Sequence, residues 1–201
     1  MNSRWFIKRV MRIVNLKTFV DELRHFRSNP QAAVRNHILA LDIGTKRIGL
    51  AKCDLLYFQS FACGTIERKF EVTLDEARRK LTNALQQTIE KEKIVGIVAG
   101  FPLMENNDLT PLAQKILADM KHLNCSYGKD ETSQMGAQDL NTAGPVPMMC
   151  TFWDERYSSQ KARAVIRTKY SSQRSVTDKM RDPLSALMIL EDFKQQVLKV
   201  R

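Results

Sequence analysis

A charged turn between two apolar runs constrains this chain more than any other feature. Residues 38–41 form a short apolar run of the kind that fills a buried strand, and Asp42 ends it. A buried carboxylate is costly unless a cation or a metal ion pairs with it. Gly44 permits a sharp turn, Lys46 and Arg47 add two positive charges, and a second apolar run follows. The pattern predicts a β-hairpin with charged groups collected at its turn.

Asp42 by itself fits two interpretations. An aspartate next to a glycine can bond its own backbone and stabilise the turn, or it can belong to a functional acidic site. Further acids at the ends of later elements favour the acidic site: Asp154 and Glu155 follow an apolar run, and Asp182 stands at the expected start of the last helix. Each of these has an alternative as well. Asp154 or Glu155 could pair with Arg156 at the surface, and Asp182 could cap a helix.

The rest of the chain predicts alternating strands and helices. A third strand is expected over residues 58–66, and its pattern fits an antiparallel meander with the hairpin. Apolar spacing predicts helices at 74–92 and 111–123 and buried strands at 94–99 and 146–152. A loop at 170–180 precedes a closing helix that starts at Asp182, with Pro183 in its first turn, and runs to Leu198. The sum is a mixed α/β fold, a five-stranded sheet flanked by helices.

The N-terminal segment is strongly basic. The chain has a formal net charge of +10, and residues 1–36 contribute +6 from eight basic and two acidic residues. Two interpretations stay open: an organellar targeting segment, or an accessory helix with an apolar stripe at Leu16, Phe19, Val20, Leu23 and Phe26. We therefore predict an extension at 1–36 and one domain at 37–201. We expect the protein inside the cell, in the cytoplasm, or in a mitochondrion or plastid if the segment is a targeting signal.

Composition limits the remaining classes. No apolar stretch approaches the roughly 18 residues of a membrane span. The four cysteines are scattered without a Cys-x-x-Cys pair, which disfavours a zinc site.

Residues 124–147 are rich in small polar residues and predict a disordered insertion, with a functional loop as the alternative.

A second basic segment lies near the C-terminal end. Residues 156–181 hold eight basic residues against one acid, a net charge of +7. Such a patch indicates a phosphate-rich partner, and Arg163 and Arg167 are its candidate contacts on a predicted helix. The alternative is a solvated helix face.

Four segments, in this order, resemble the YqgF family, also called RuvX, of RNase H-like proteins. The first is Asp42-Ile-Gly-Thr-Lys-Arg-Ile-Gly-Leu-Ala, and the second is Gly100-Phe101-Pro102-Leu103. The third is Asp154-Glu155-Arg156-Tyr157-Ser158-Ser159, and the fourth is Asp182-Pro-Leu-Ser-Ala-Leu-Met-Ile-Leu. Together they span residues 37–196 and are specific as a set.

The resemblance implies an RNase H-like nuclease that acts on structured nucleic acid, with precursor ribosomal RNA favoured and Holliday junction DNA as the alternative. It implies Mg²⁺ or Mn²⁺ and a two-metal phosphodiester hydrolysis. The implied catalytic and metal-binding acids are Asp42, Glu155 and Asp182, with Asp154 as a further metal ligand. Lys46, Arg47 and Arg156 would hold phosphates near these acids. We expect a monomer or homodimer with no membrane partner.

Two other function classes remain. A nucleic-acid-binding module that has lost turnover is one, because the strand predicted at 94–99 carries no acid where classical junction resolvases of this fold place one. A nucleotide-binding protein of the actin or sugar-kinase type also opens with Asp-x-Gly-Thr, but it needs two copies of the fold, and this chain has length for one. The residues themselves do not distinguish RNA from DNA.

Overall fold

One mixed β-sheet organises the part of the chain that the structure describes. The computed structural model describes residues 11–28, 37–55, 59–68, 74–104, 108, 110–118, 148–155 and 174–198. Within these ranges the strands are β1 (Met11–Ile13), β2 (His37–Ile43), β3 (Arg47–Asp54), β4 (Ser60–Glu67), β5 (Ile94–Phe101) and β6 (Met148–Asp154). The helices are α1 (Leu16–Ser28), α2 (Leu74–Lys91), α3 (residues 111–118) and α4 (Arg174–Phe193), which continues into a π-helical turn at Lys194–Leu198.

The strand order in the sheet is β1-β6-β5-β2-β3-β4. Strands β2, β3 and β4 form the predicted antiparallel meander, and β5 and β6 run parallel to β2. Strand β5 is buried along its whole length, as expected for a parallel strand covered on both faces. The mixed α/β class predicted from the sequence is confirmed.

The predicted number of five strands is wrong, because the described residues contain a sixth. Strand β1 pairs in parallel with the outer side of β6, with Met11 opposite Met148 and Ile13 opposite Cys150. It has only three residues, and the middle one is Arg12. A segment this short has no readable period, and it is a strand only because β6 offers an open edge.

The sheet separates two apolar cores. On one face, Leu39 and Leu41 of β2 pack with Leu85 and Ile89 of α2 and with Ile116 of α3. On the other face, alternate residues of the same strand pack with α1 and α4. This two-sided burial follows from the period-two alternation of side chains along each strand.

Helix α1 carries the predicted apolar stripe, and the stripe faces the second core. Phe19 is fully buried, and its ring meets Phe193 of α4 edge-on at a centroid distance of 5.9 Å. Asn15 caps the helix, since its Oδ1 accepts the backbone N–H of Thr18 at 2.9 Å. Residues of the N-terminal extension therefore complete the sheet and the core. A targeting role for residues 1–36 stays a prediction.

The start predicted for the closing helix is wrong. Helix α4 begins at Arg174, so Asp182 and Pro183 lie inside it, and the loop predicted at 170–180 is helical from residue 174 onward. A proline favours the first turn of a helix because its missing N–H costs nothing there, and this preference is overridden at Pro183. Burial of Ala186, Ile189 and Phe193 stabilises the helix in spite of the lost hydrogen bond.

Several sequence predictions fall outside the described residues. They are the insertion at 124–147, the last residues of the helix predicted at 111–123, Arg156, and the predicted basic helix with Arg163 and Arg167. Across the described ranges, no helix has both the length and the apolar character needed to cross a membrane.

Two phenylalanines test the docking of α1. We expect Phe19→Ala to lower the free energy of unfolding by about 3–5 kcal/mol, because it empties a fully buried site. Phe61 on β4 is 48% exposed, and Phe61→Ala should change stability by less than about 0.5 kcal/mol. Urea unfolding of both variants measures this. Equal effects would contradict the docking of α1 against the sheet.

Candidate active site

Asp42 and Glu155 share one face of the sheet. Asp42 alternates along β2 with Ile38 and Ala40, which face α1 and α4. Glu155 directly follows β6. It continues the side-chain alternation of Met149 and Trp153, which face the same helices. The two acids thus come from strands on either side of β5 and lie over the same layer.

Gly100 on β5 leaves room for these acids to meet. A Cβ atom at this position would overlap Oε2 of Glu155 and would lie 2.6 Å from Cδ1 of Ile189. The backbone N–H of Glu155 donates to the carbonyl of Phe101 at 3.4 Å, which holds Glu155 beside the end of β5. With no side chain at Gly100, the Glu155 carboxyl group reaches across the central strand and hydrogen-bonds Asp42.

Gly49 brings α4 to the same place. It lies directly opposite Asp42 in the β2–β3 pairing. A Cβ atom at Gly49 would overlap the carbonyl oxygen of Asp182. Because nothing stands between this strand and the helix backbone, α4 sets Asp182 and Ser185 beside Asp42, and the Ser185 hydroxyl donates a hydrogen bond to the Asp42 carboxylate.

The paired carboxyl groups hold a proton at neutral pH. Burial, followed by the charges of Asp42 and Asp154, raises the pKa of Glu155 to about 8. Burial and the charge of Asp182 raise the pKa of Asp42 to about 6, against hydrogen bonds from Ser185 and Glu155 that lower it. Protonated Glu155 therefore donates to ionised Asp42, and two neighbouring carboxyl groups share one charge.

One oxygen of this pair is unsatisfied. Oε2 of Glu155 is buried and has no hydrogen-bond partner in the described part of the chain. A buried polar atom without a partner costs free energy, so such atoms in folded proteins usually mark a place where water, an ion or a ligand binds.

Asp182 is engaged by two arginines. Nε of Arg47 lies 2.6 Å from its Oδ2, and Nε of Arg181 lies 3.4 Å from its Oδ1. Within the described ranges, no three His, Cys, Asp or Glu side chains are arranged to hold a metal ion. The structure thus brings Asp42, Glu155 and Asp182 together, but as a proton-sharing pair beside an ion pair.

Asp154 lies on the other side of the sheet from Glu155. It follows Cys150 and Phe152 in the alternation of β6, and these residues face α2 and α3. Its side chain is exposed at the strand end, and its charge acts on Glu155 from there. The alternation of β6 therefore places the two adjacent acids on opposite faces of the sheet.

A cationic cavity of about 480 Å³ opens beside the acids. Its charged lining comes from the β2–β3 turn, the end of β4 and α4: Lys46, Arg47, Arg68 and Arg181, with Glu67 and Asp182. The Arg68 guanidinium donates to the carbonyl of Gly44 at 3.1 Å. Lys46 and Arg47 thus line a cavity together with Asp182, and their binding of nucleic acid stays a prediction. Arg156, Arg163 and Arg167 lie outside the described residues.

Sequence reasoning missed four residues of this region. Ser185 sits within the fourth motif, one helical turn after Asp182, so its spacing was a usable signal. Gly49 and Gly100 also lie within quoted motifs, yet their role depends on the approach of α4 and Glu155. Arg68 carries no local signal, because only the pairing of β3 with β4 brings it to the turn.

Known proteins match this chain over most of its length. The family model described as "RuvX: Holliday junction resolvase" matches residues 36–196. A Zymomonas mobilis protein named "Putative pre-16S rRNA nuclease" is 31% identical over 174 residues, which cover 85% of this chain and 86% of that protein. A Koribacter versatilis protein of the same name is 31% identical and covers 82% of this chain and 90% of its own.

Solved structures are more distant. A Thermus thermophilus RuvC in complex with a Holliday junction substrate aligns with 82% of this chain and 98% of its own, at 10% identity and a TM-score of 0.47. A likeness this low carries no argument about function.

The proton-sharing pair predicts an unusual pH dependence of stability. The folded-state pKa values of Glu155 and Asp42, about 8 and about 6, are raised above their ordinary values of 4.5 and 3.8. The folded state therefore binds more protons than the unfolded state. The stability that these protons contribute is lost as the pH rises from about 4 to about 8. Between pH 5 and pH 9 we expect the metal-free protein to lose about 1–3 kcal/mol more than Glu155→Gln. Urea unfolding in the presence of a metal chelator measures the free energy of unfolding of wild type and Glu155→Gln. An equal change with pH in the two proteins would contradict the shared proton.

Proposed function

Since this chain belongs to the RuvX family of Holliday junction resolvases, we propose that it is a metal-dependent nuclease that hydrolyses phosphodiester bonds in structured nucleic acid, with precursor ribosomal RNA as its substrate. The observation that carries the reaction is the buried Asp42–Glu155 pair beside a cationic cavity. The choice of substrate is supported by the curated relatives, which are named for pre-16S rRNA and are spanned by this chain over most of their length.

The residues present fit a hard divalent cation, Mg²⁺ or Mn²⁺. Such cations prefer carboxylate oxygens, and the unpartnered Oε2 of Glu155 offers one beside Asp42. Asp42 and Glu155 would hold the cation, and Asp182 would join them if it left its arginines. When bound, a divalent cation supplies charge stabilisation at the phosphoryl group and an activated water. A two-metal arrangement would need a further carboxylate, for which Asp182 is the candidate beside Asp42, whereas Asp154 follows the opposite face of β6.

The chain's own groups prepare this site. Ser185 orients the Asp42 carboxylate through its hydroxyl. Glu155 stores a proton at neutral pH and releases it when a cation replaces it, so metal affinity should rise with pH. Lys46 and Arg47 stand where they can bind backbone phosphates, which fix the position of a nucleic acid without reading its sequence. Arg156, Arg163 and Arg167 are proposed to extend this contact.

A branched DNA substrate is the second candidate, because the matching family is described as a Holliday junction resolvase. Contacts to phosphates serve either polymer, and a protein recognises RNA through the 2′-hydroxyl. Cleavage of a precursor 16S rRNA fragment and of a four-way DNA junction, measured with equal enzyme and metal, decides between them. Faster cleavage of the junction would reverse our assignment.

Asp42→Asn tests the catalytic role. We expect metal-dependent cleavage to fall by at least roughly 100-fold, on the order of the loss when a central electrostatic group is removed. The metal-free fold should be no less stable than wild type, because the substitution relieves repulsion with Asp182. A turn-stabilising Asp42 predicts the reverse, namely intact cleavage and about 1 kcal/mol of lost stability. Asp21→Asn, on the exposed side of α1, is the matched control and should behave as wild type.

The two adjacent acids of the third motif can be separated in the same assay. Glu155→Gln should reduce cleavage about as much as Asp42→Asn, since both groups face α4. Asp154→Asn should have the smaller effect, because that side chain follows the opposite face of β6. Loss of cleavage in Asp154→Asn with activity retained in Glu155→Gln would show that Asp154, and not Glu155, is the acid that the reaction needs.

A further inference from the structure

The ion pair between Arg47 and Asp182 occupies an acid that the proposed metal site needs. Both oxygens of this carboxylate lie against guanidinium groups, with Arg47 at 2.6 Å and Arg181 at 3.4 Å. The side chain of Asp182 is only 15% exposed, so the contact is partly shielded from water. In this state the charge of Asp182 is balanced by Arg47 and Arg181, so its oxygens are not available to a cation bound at Asp42.

Arg47 also lines the cationic cavity, where a second anion can compete for it. The cavity carries four cationic side chains against two carboxylates, a net charge of +2. Lys46 among them makes no ion pair with any residue that the structure describes. The volume of about 480 Å³ is in the range of small-ligand pockets and suffices for a phosphate with an attached sugar. A guanidinium binds phosphate with the same planar fork that it offers to a carboxylate.

We propose that this cavity binds a phosphodiester group of the substrate backbone, and that its occupation draws Arg47 away from Asp182 and makes Asp182 available to a divalent cation. The inference rests on the proposed function for the identity of the two ligands. In this coupling Arg47 is a positioning residue that links an anion site to a cation site.

The coupling has a defined sign. Phosphate in the cavity increases the affinity for the cation, and by linkage the cation increases the affinity for phosphate by the same factor. Without nucleic acid the cation would have two carboxylates from Asp42 and Glu155, and with nucleic acid it would have three. The complete metal site would then form only when substrate is present.

Calorimetry with Mn²⁺ measures the coupling without any readout of cleavage. The probe for the cavity is a dinucleoside monophosphate, which carries a single phosphodiester. In wild type we expect saturating probe to tighten Mn²⁺ binding by at least roughly fivefold, the lower end of typical coupling between sites. In Arg47→Gln, which cannot form the ion pair, Mn²⁺ should bind that much more tightly without the probe, and the probe should add little.

Two further variants make the test specific. Asp182→Asn should lose the gain from the probe, because it lacks the acid that the probe is proposed to release. Arg79→Gln, on the exposed side of α2, is the charge-matched control and should keep the full wild-type response. Thermal melting of each variant identifies any that fails to fold. If Arg47→Gln does not fold, the Asp182→Asn titration decides by itself.

Three results would overturn the coupling. They are equal Mn²⁺ affinity in wild type and Arg47→Gln, an undiminished gain from the probe in Arg47→Gln, and an undiminished gain from the probe in Asp182→Asn. The second would mean that the cation bridges to phosphate directly, and the third that Asp182 is not the acid that the probe releases. If any of these results is found while wild type still cleaves precursor rRNA with metal, the proposed function stands and only the coupling is wrong. If the coupled response is found but wild type does not cleave, the coupling stands and the proposed function is wrong.

Discussion

The site depends on how closely α4 and Glu155 approach the sheet at two glycines. A side chain at Gly49 would push the backbone of Asp182 off β3, and one at Gly100 would occupy the space of the Glu155 carboxyl group. With both positions empty, acids from two strands and a helix collect over Asp42. The remaining electrostatic features of the region follow from that crowding, because carboxyl groups brought so close in a partly buried place cannot all be ionised and unpaired.

The protein balances this charge in two different ways. Asp42 and Glu155 share a proton and accept help from Ser185, whereas Asp182 is neutralised by Arg47 and Arg181. In the proposed function a cation would replace the shared proton, and a phosphate would compete with Asp182 for Arg47. Carboxylate oxygens are the donors that a hard cation prefers, and guanidinium groups bind phosphate as well as carboxylate.

The N-terminal extension belongs to the same framework. Strand β1 adds to the edge of β6, and Phe19 of α1 fills the core against Phe193 of α4. Helix α4 carries Asp182 and Ser185, so α1 supports the helix that completes the acidic group. Loss of residues 11–28 would therefore remove an edge strand of the sheet and part of the second apolar core.

The sequence by itself determined the order of the elements from β2 onward, the antiparallel meander and the helical stripe of α1, because apolar period and turn chemistry are local properties. The candidate acids and cations around Asp42 are what the resemblance of four motifs to a known family implies. The tertiary structure alone decided the rest. Strand β1 exists through pairing with β6, and Pro183 lies inside α4 because packing outweighs a missing hydrogen bond. Strand alternation set Glu155 rather than Asp154 beside Asp42. The contact of Arg47 with Asp182, and the place of Arg68 at the cavity, required residues far apart in sequence to meet, which no local pattern records.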